Sequence, residues 1–359
     1  MKKVALSLLA LALIGAGAFA QDAAAPALKI GGYLDIGAVT TMKADSGNSS
    51  GITGDDSGVG GGSYVFKVSY GTDKAGLVTK ARLENVTSGN TTTINPQAYY
   101  VWFNVPGAEA VKVLGGNYDD DGTAWNMLDD KGDKQTNGTG IAVQVTPSEG
   151  FSIGGGVVPQ GVHQPFYSVG AAYTVPATVQ IAAALKTAEA EKSSNVALSN
   201  VAASFKLLLD GPLSAKGGVN LYGLEKDKKT GYNIIDVTLG YALTDAFSVG
   251  FQTYVYTYGS DLKYGSDDAA ISYKLNPSVA YVVDPITTVG AEMTYGQGGY
   301  DKVVKNKLTT IEVKPKATFT IDPNAKVLVY YAYDTQSGDD KNAKDASWST
   351  LSVEFRYNF

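Results

Sequence analysis

The densest run of chemically capable side chains is Asp119-Asp120-Asp121-Gly122-Thr123-Ala124-Trp125-Asn126-Met127-Leu128-Asp129-Asp130. Its carboxylates flank a small apolar patch made by Trp125, Met127 and Leu128. Acids spaced in this way can hold a cation or bias the path of a charged solute. Asn117, Asp119, Asp121 and Gly122 fit the first, third, fifth and sixth places of a calcium loop, but its last place needs a bidentate Glu and holds Leu128. What remains is a looser cluster of carboxylates, to which no metal is assigned. Covalent chemistry has less to draw on. The sequence has no cysteine, so a thiolate nucleophile, a thiolate metal site and a disulfide framework are all excluded. Its one histidine, His163, sits in the segment 159–166 beside Gln160, Gln164 and Pro165, with no local Ser-Gly or paired-Asp signature. Gly60-Gly61-Gly62 and Gly154-Gly155-Gly156 do not open helices after a strand, as a phosphate-binding loop requires. The residues point away from an enzyme, and no cofactor is expected.

The elements that must carry these acids read as strands. From Leu28 onward the sequence runs in segments of about ten residues with apolar and polar side chains alternating. They are 28–41, 63–71, 77–87, 97–105, 110–118, 139–146, 150–158, 167–175, 177–187, 197–209, 214–224, 233–243, 246–257, 269–283, 286–296, 308–321, 325–335 and 347–359. The count is eighteen, with sixteen as the alternative because 139–146 and 150–158 are short. Every second connection is short and rich in turn formers, as at Pro106-Gly107, Asp210-Gly211-Pro212, Asp284-Pro285 and Asp322-Pro323-Asn324. Those between are longer and polar, as at 42–62, 119–138, 258–268 and 336–346. Period-two alternation places strand charges on one face. In 308–321, for example, Glu312, Lys314 and Lys316 oppose Ile311, Val313 and Phe319. Lys67, Lys80, Arg82 and Lys112 fall on the polar faces of the early strands. Only two arginines occur, and each has a carboxylate two residues away on its own face, Glu84 for Arg82 and Glu354 for Arg356. A wall ion pair is the expected role of each. Tyr64, Tyr70, Tyr254, Tyr281, Tyr295 and Tyr333, near strand ends, are candidates for interfacial girdles.

The last segment is the most specific. In Thr350 to Phe359, Leu351, Val353, Phe355, Tyr357 and Phe359 alternate strictly with polar residues, and the sequence ends on an aromatic. This resembles the C-terminal assembly signal of Gram-negative outer-membrane β-barrels, with Phe355, Tyr357 and Phe359 as its aromatics. At the other end, Lys2-Lys3, an apolar run from Val4 to Ile14 and Ala18-Phe19-Ala20 form a secretory leader, expected to be cleaved after residue 20. That run is too short to span a bilayer as a helix. Residues 21–359 are then expected to form one all-β domain, a transmembrane antiparallel up-and-down barrel with short periplasmic turns and long extracellular loops. Net charge is −6, and two positive charges leave with the leader. That acidic balance argues against nucleic acid and weakly for cations.

The order of the fifth strand and the loop 119–138 resembles the general porins. That resemblance implies a third loop folded into the barrel, with Asp119, Asp120, Asp121, Asp129 and Asp130 facing Lys67, Lys80, Arg82 and Lys112 across a constriction. It also implies a homotrimer in the outer membrane, inserted by the barrel-assembly machinery, surrounded by lipid and passing small hydrophilic solutes and ions. The arginine-rich cluster of that family is absent here. Two other readings stay open. A barrel can be a platform for a surface adhesin or antigen, with the Gly/Ser/Asp-rich first loop exposed. A sugar-specific pore would need an aromatic lumen track, for which Tyr100, Trp102, Tyr222, Tyr254 and Tyr256 are candidates.

Overall fold

The structure, a computed structural model, describes residues 26–43, 47–53, 63–86, 91–118, 123–124, 139–160, 163–187, 200–222, 232–258, 271–297, 308–338 and 345–359. The described strands are β1 (Ala27–Lys43), β2 (Gly47–Thr53), β3 (Ser63–Gly71), β4 (Ala75–Val86), β5 (Thr91–Val105), β6 (Ala108–Asn117), β7 (Thr139–Ser148), β8 (Phe151–Gln160), β9 (His163–Val175) and β10 (Val179–Lys186). They continue with β11 (Asn200–Leu207), β12 (Leu213–Tyr222), β13 (Tyr232–Ala242), β14 (Phe247–Tyr258), β15 (Ile271–Val282), β16 (Thr287–Gln297), β17 (Leu308–Asp322), β18 (Ala325–Gly338) and β19 (Ala346–Asn358). From β3 to β19 each strand pairs antiparallel with the next, and β1 pairs with both β3 and β19. The sheet therefore closes on itself as an eighteen-lane barrel.

The second lane holds two strands. On one edge of β1, β3 pairs from Ala27↔Gly71 up to Asp35↔Ser63, and β2 takes over from Gly37↔Thr53 to Lys43↔Gly47. The expected first loop, 42–62, thus contains a strand. Its Gly-Asn-Ser-Ser-Gly-Ile-Thr sequence has no apolar alternation, and the neighbouring edge of β1 supplies the pairing. β5 also begins earlier than expected, because a bulge at Gln97 (Lys80↔Ala98, then Ala81↔Pro96) lets the strand pass Pro96. His163 opens β9, opposite Gln160, rather than lying in a loop.

The short connections share one rim, and side chains close them. Asp284 Oδ1 accepts from the amides of Ile286 and Thr287, each at 2.8 Å, and Asp322 Oδ1 accepts from those of Asn324 and Ala325 at 2.7 and 3.0 Å. Thr72 and Thr244 do the same with their hydroxyls. Gly107 and Gly150 supply left-handed φ of 75° and 78° at two further turns.

Burial is inside out relative to a water-soluble sandwich. Ile141, Ile153 and Ile181 are 58%, 43% and 47% exposed, whereas Ala142, Ala172 and Ala182 beside them are almost fully buried. Full burial of an aliphatic side chain is worth about 1.5–3 kcal/mol, and about half of that is forgone in water at each of these half-exposed positions, so this outer face suits lipid. No helix among the described residues is long and apolar enough to cross a membrane. Tyr70, Tyr173, Tyr241, Tyr281 and Tyr357 ring the outer face towards the short turns. Towards the other rim, outward polar groups pair across strands: Tyr99–Thr139 at 2.8 Å, Tyr273 to Gln297 at 3.0 Å and Tyr331 to Ser349 at 2.8 Å. Tyr254 departs from the expected girdle. It shares a face with Asp236 and Lys274 and is buried on the inner wall.

Candidate functional site: the inner wall

Register decides which charged side chains share the lumen, and it divides the four expected basic residues. Lys67 and Lys80 stand directly opposite each other on β3 and β4, and Arg82 follows Lys80 on the same face, opposite Val65. Lys112 stands apart. Lys80 faces Ala98 on β5, whereas Lys112 faces Asn104, six residues further along that strand. At ~3.3 Å per residue the two levels are roughly 20 Å apart along β5. The Lys112 ammonium lies 5.0 Å from the centre of the Trp102 ring. Asp119, Asp120, Asp121, Asp129 and Asp130 lie outside the described residues, as does the Glu84 side chain.

Two residues of the loop 119–138 are described, and both lie against the wall. Thr123 is buried, and the Ala124 amide donates to Gln144 Oε1 at 3.0 Å. Ala124 also packs on Ala172 and on Ala182 and Ala184, inward residues of β9 and β10. Gln144 is held for this contact, since its amide reaches Ser152 Oγ at 3.5 Å, and that hydroxyl pairs with Thr146 at 3.0 Å. Gln144 lies opposite Lys112, five residues before the end of β6 at Asn117. Ala124 is therefore seated roughly 17 Å along the strand from that rim.

Around this contact the wall is lined by small side chains. Ala142, Gly156 and Ser168 form one cross-strand row, and Gln144, Gly154, Gly170, Ala184 and Ala202 form the next. Beside them Val78, Ala98, Tyr100, Leu114, Tyr118 and Ala142 form an apolar cluster that faces the lumen, yet each is at most 8% exposed. Open water on that side would wet them, so this part of the wall carries a second layer. The sequence reading missed Gln144, Ser152 and the small row. Their signal was present in strands whose outward residues are large (Ile141, Ile153, Ile181) and whose inward residues are Ala, Gly or Ser.

The opposite wall is mixed and internally paired. Lys316 pairs with Glu292, Thr294 donates to Glu312 Oε1 at 3.3 Å, and Lys314 stacks over Tyr330 at 4.0 Å. Glu312 lies opposite Asp334. At the closing seam the Arg356 guanidinium meets Asp35 at 3.8 Å and covers the Tyr33 ring at 4.2 Å. The sequence suggested Glu354 for Arg356, and the structure shows a cross-strand acid, Asp35. Glu354 is buried and accepts from Ser352 Oγ at 3.0 Å. Phe359 completes the seam. Its amide and carbonyl bond Gly32 at 3.1 and 3.0 Å, and its ring stacks on Tyr64 at 5.6 Å. No cluster of metal-ligating side chains occurs among the described residues.

Neither a protein-family pattern nor a curated protein matches the sequence. Solved structures match the fold. The chain is similar to OccK2 (OpdF) of Pseudomonas aeruginosa, at 10% identity and a TM-score of 0.58, covering 92% of this chain and 98% of that one. OccK2 has also been solved in complex with glucuronate. OpdK of the same organism, solved with vanillate, matches at 12% identity and a TM-score of 0.56, covering 92% and 99%. A BenF-like porin from Pseudomonas fluorescens matches at 10% identity and a TM-score of 0.57, again covering 92% and 99%. At these identities the likeness is one of fold: a closed antiparallel porin barrel. The neighbours are porins of the OccK and OprD kind, whereas the order of the fifth strand and its loop resembled the general porins.

Proposed function

We propose that this chain is an outer-membrane channel of porin type, passing small hydrophilic solutes by diffusion. The carrying observation is a closed eighteen-lane barrel with aliphatic side chains outward and charged ones inward. A polar interior inside an apolar ring is what a water-filled path across lipid requires. The reading includes export by the leader 1–20, insertion by the barrel-assembly machinery through the strand that ends in Phe355, Tyr357 and Phe359, and a homotrimer. Loop 119–138 serves in it as the constriction, and the Ala124–Gln144 contact supports that role.

The class of solute follows from a contest between wall and loop. Among the described inward side chains of β3 to β12 the charged ones are Lys67, Lys80, Arg82, Lys112, Lys186, Lys206 and Lys216. Such a wall favours small organic anions. Glucuronate and vanillate, held by two of the similar structures, are of that class. The loop acids Asp119, Asp120, Asp121, Asp129 and Asp130 oppose it and are the source of any cation preference. A sugar-specific track is less well supported, since Tyr100 and Tyr254 are buried and Trp102 is covered by Lys112.

The test is conductance of the refolded protein in a planar bilayer under a potassium salt gradient. Stepwise openings are expected, with a reversal potential that gives the sign of selectivity. A correctly inserted barrel that insulates overturns the channel and favours the surface-platform reading.

A further inference from the structure

We infer that Tyr118 and Gly156 together set the bore of the channel, an inference that rests on the channel reading. Tyr118 is the residue after β6, immediately before the acids of the loop, and it is fully buried on the inner wall. Its ring runs along the wall past β7 to β8. There a Cβ built on Gly156 would lie 2.8 Å from the Tyr118 hydroxyl, 3.0 Å from the Ile141 carbonyl oxygen and 3.1 Å from the Ala142 methyl. Gly156 has no left-handed φ, so backbone freedom does not explain a glycine there. Space does, and the group that uses it is the hydroxyl of Tyr118.

That hydroxyl is buried and has no hydrogen-bond partner among the described residues. Polar satisfaction therefore does not hold the ring in place. Shape does: Tyr118 is packed into one buried cluster with Leu114, Ala142 and Tyr100. Tyr118 and Leu114 are both 0% exposed, so a layer rests on their lumen side. The height of the Tyr118 ring above the wall fixes how far that layer stands into the lumen. Gly156 keeps the height at its minimum. A packed wall transmits a displacement of this kind rather than absorbing it.

The experiment is single-channel conductance of the full chain and of three variants, with heat-modifiable migration confirming each barrel. Gly156→Ala lifts the ring and is expected to lower the unitary conductance clear of the wild-type peak. Tyr118→Phe removes the unpartnered hydroxyl and leaves the wild-type value. Combined with Gly156→Ala, it restores conductance in large part, the residue being due to the Ile141 and Ala142 contacts. A merely structural lesion at Gly156 would not be rescued by losing one oxygen elsewhere. If Gly156→Ala does not fold, Tyr118→Leu serves in its place. The shorter side chain lets the layer settle on the wall and raises conductance, and an unchanged value overturns the inference. A folded Gly156→Ala barrel with wild-type conductance, or one that Tyr118→Phe fails to rescue, also overturns it. Wild-type barrels that insert but do not conduct overturn the channel reading itself.

Discussion

Placing an arginine on either face of β13 is the sharpest test of the barrel register. Val237 points outward between Gly217 and Thr253, and Thr238 points inward between Lys216 and Gln252. Val237 is five residues from Ala242, the end of β13 next to a short turn. At ~3.3 Å per residue and a tilt of about 40°, it lies about 13 Å above that rim, half the height of an apolar band ~25 Å tall. An arginine at that depth on the lipid face costs ~2–4 kcal/mol. Thr238→Arg enters a wet lumen opposite Lys216, and like charges directly opposed cost at most ~1 kcal/mol. Lipid depth therefore outweighs charge repulsion. Guanidinium unfolding in phosphatidylcholine vesicles, followed by tryptophan fluorescence, reads the difference. Val237→Arg is expected to unfold at clearly lower denaturant than Thr238→Arg. The reverse order would refute the register, because a one-residue slip exchanges the two faces of a strand.

Three further outcomes follow from the same geometry. Replacing Asp119, Asp120 and Asp121 by Asn is expected to move the reversal potential in a salt gradient towards anions; an unmoved potential takes these acids out of the conduction path. Gly32→Ala drives a Cβ into the Val65 carbonyl oxygen, and deletion of Phe359 removes two backbone bonds to Gly32. Both are expected to reduce the yield of heat-modifiable barrel, and wild-type yields would exclude the seam as a determinant of closure. The amides of Ile286 and then Thr287 hold the Asp284 carboxylate below its ordinary range. A depressed folded value contributes stability above the unfolded carboxylate range, near pH 4, that is lost as pH falls through the folded value. The difference in unfolding midpoint between wild type and Asp284→Ala should therefore shrink on acidification below that range, and a constant difference would refute it.

Much of the fold is local and was readable for that reason. A period of two over ten residues specifies a strand and its faces without reference to any partner, and every expected segment has a strand in the structure. Asp284 and Asp322 close turns through contacts two and three residues away, so those turns were legible too. The misses in strand extent and in ion-pair partner are matters of pairing. β2 has a sequence that specifies no strand and exists because β1 offers an edge. β5 extends through Asn95-Pro96 because a bulge accommodates it. Arg356 meets Asp35, more than three hundred residues earlier in the sequence, and no spacing rule reaches that far.

The candidate site divides along the same line. That Lys67, Lys80, Arg82 and Lys112 face inward follows from alternation alone, because the face of a strand residue is fixed by its parity. Whether they meet is fixed by stagger between strands, which accumulates around a tilted barrel and shifts further at the Gln97 bulge. Tertiary structure thus brings Lys67 against Lys80 and places Lys112 on another level. The sequence by itself determined a barrel, its inside and outside, and its short-turn rim. Only the closed sheet decided the neighbours across each lane, and with them the seat of Ala124 on Gln144 and the slot at Gly156 that Tyr118 fills.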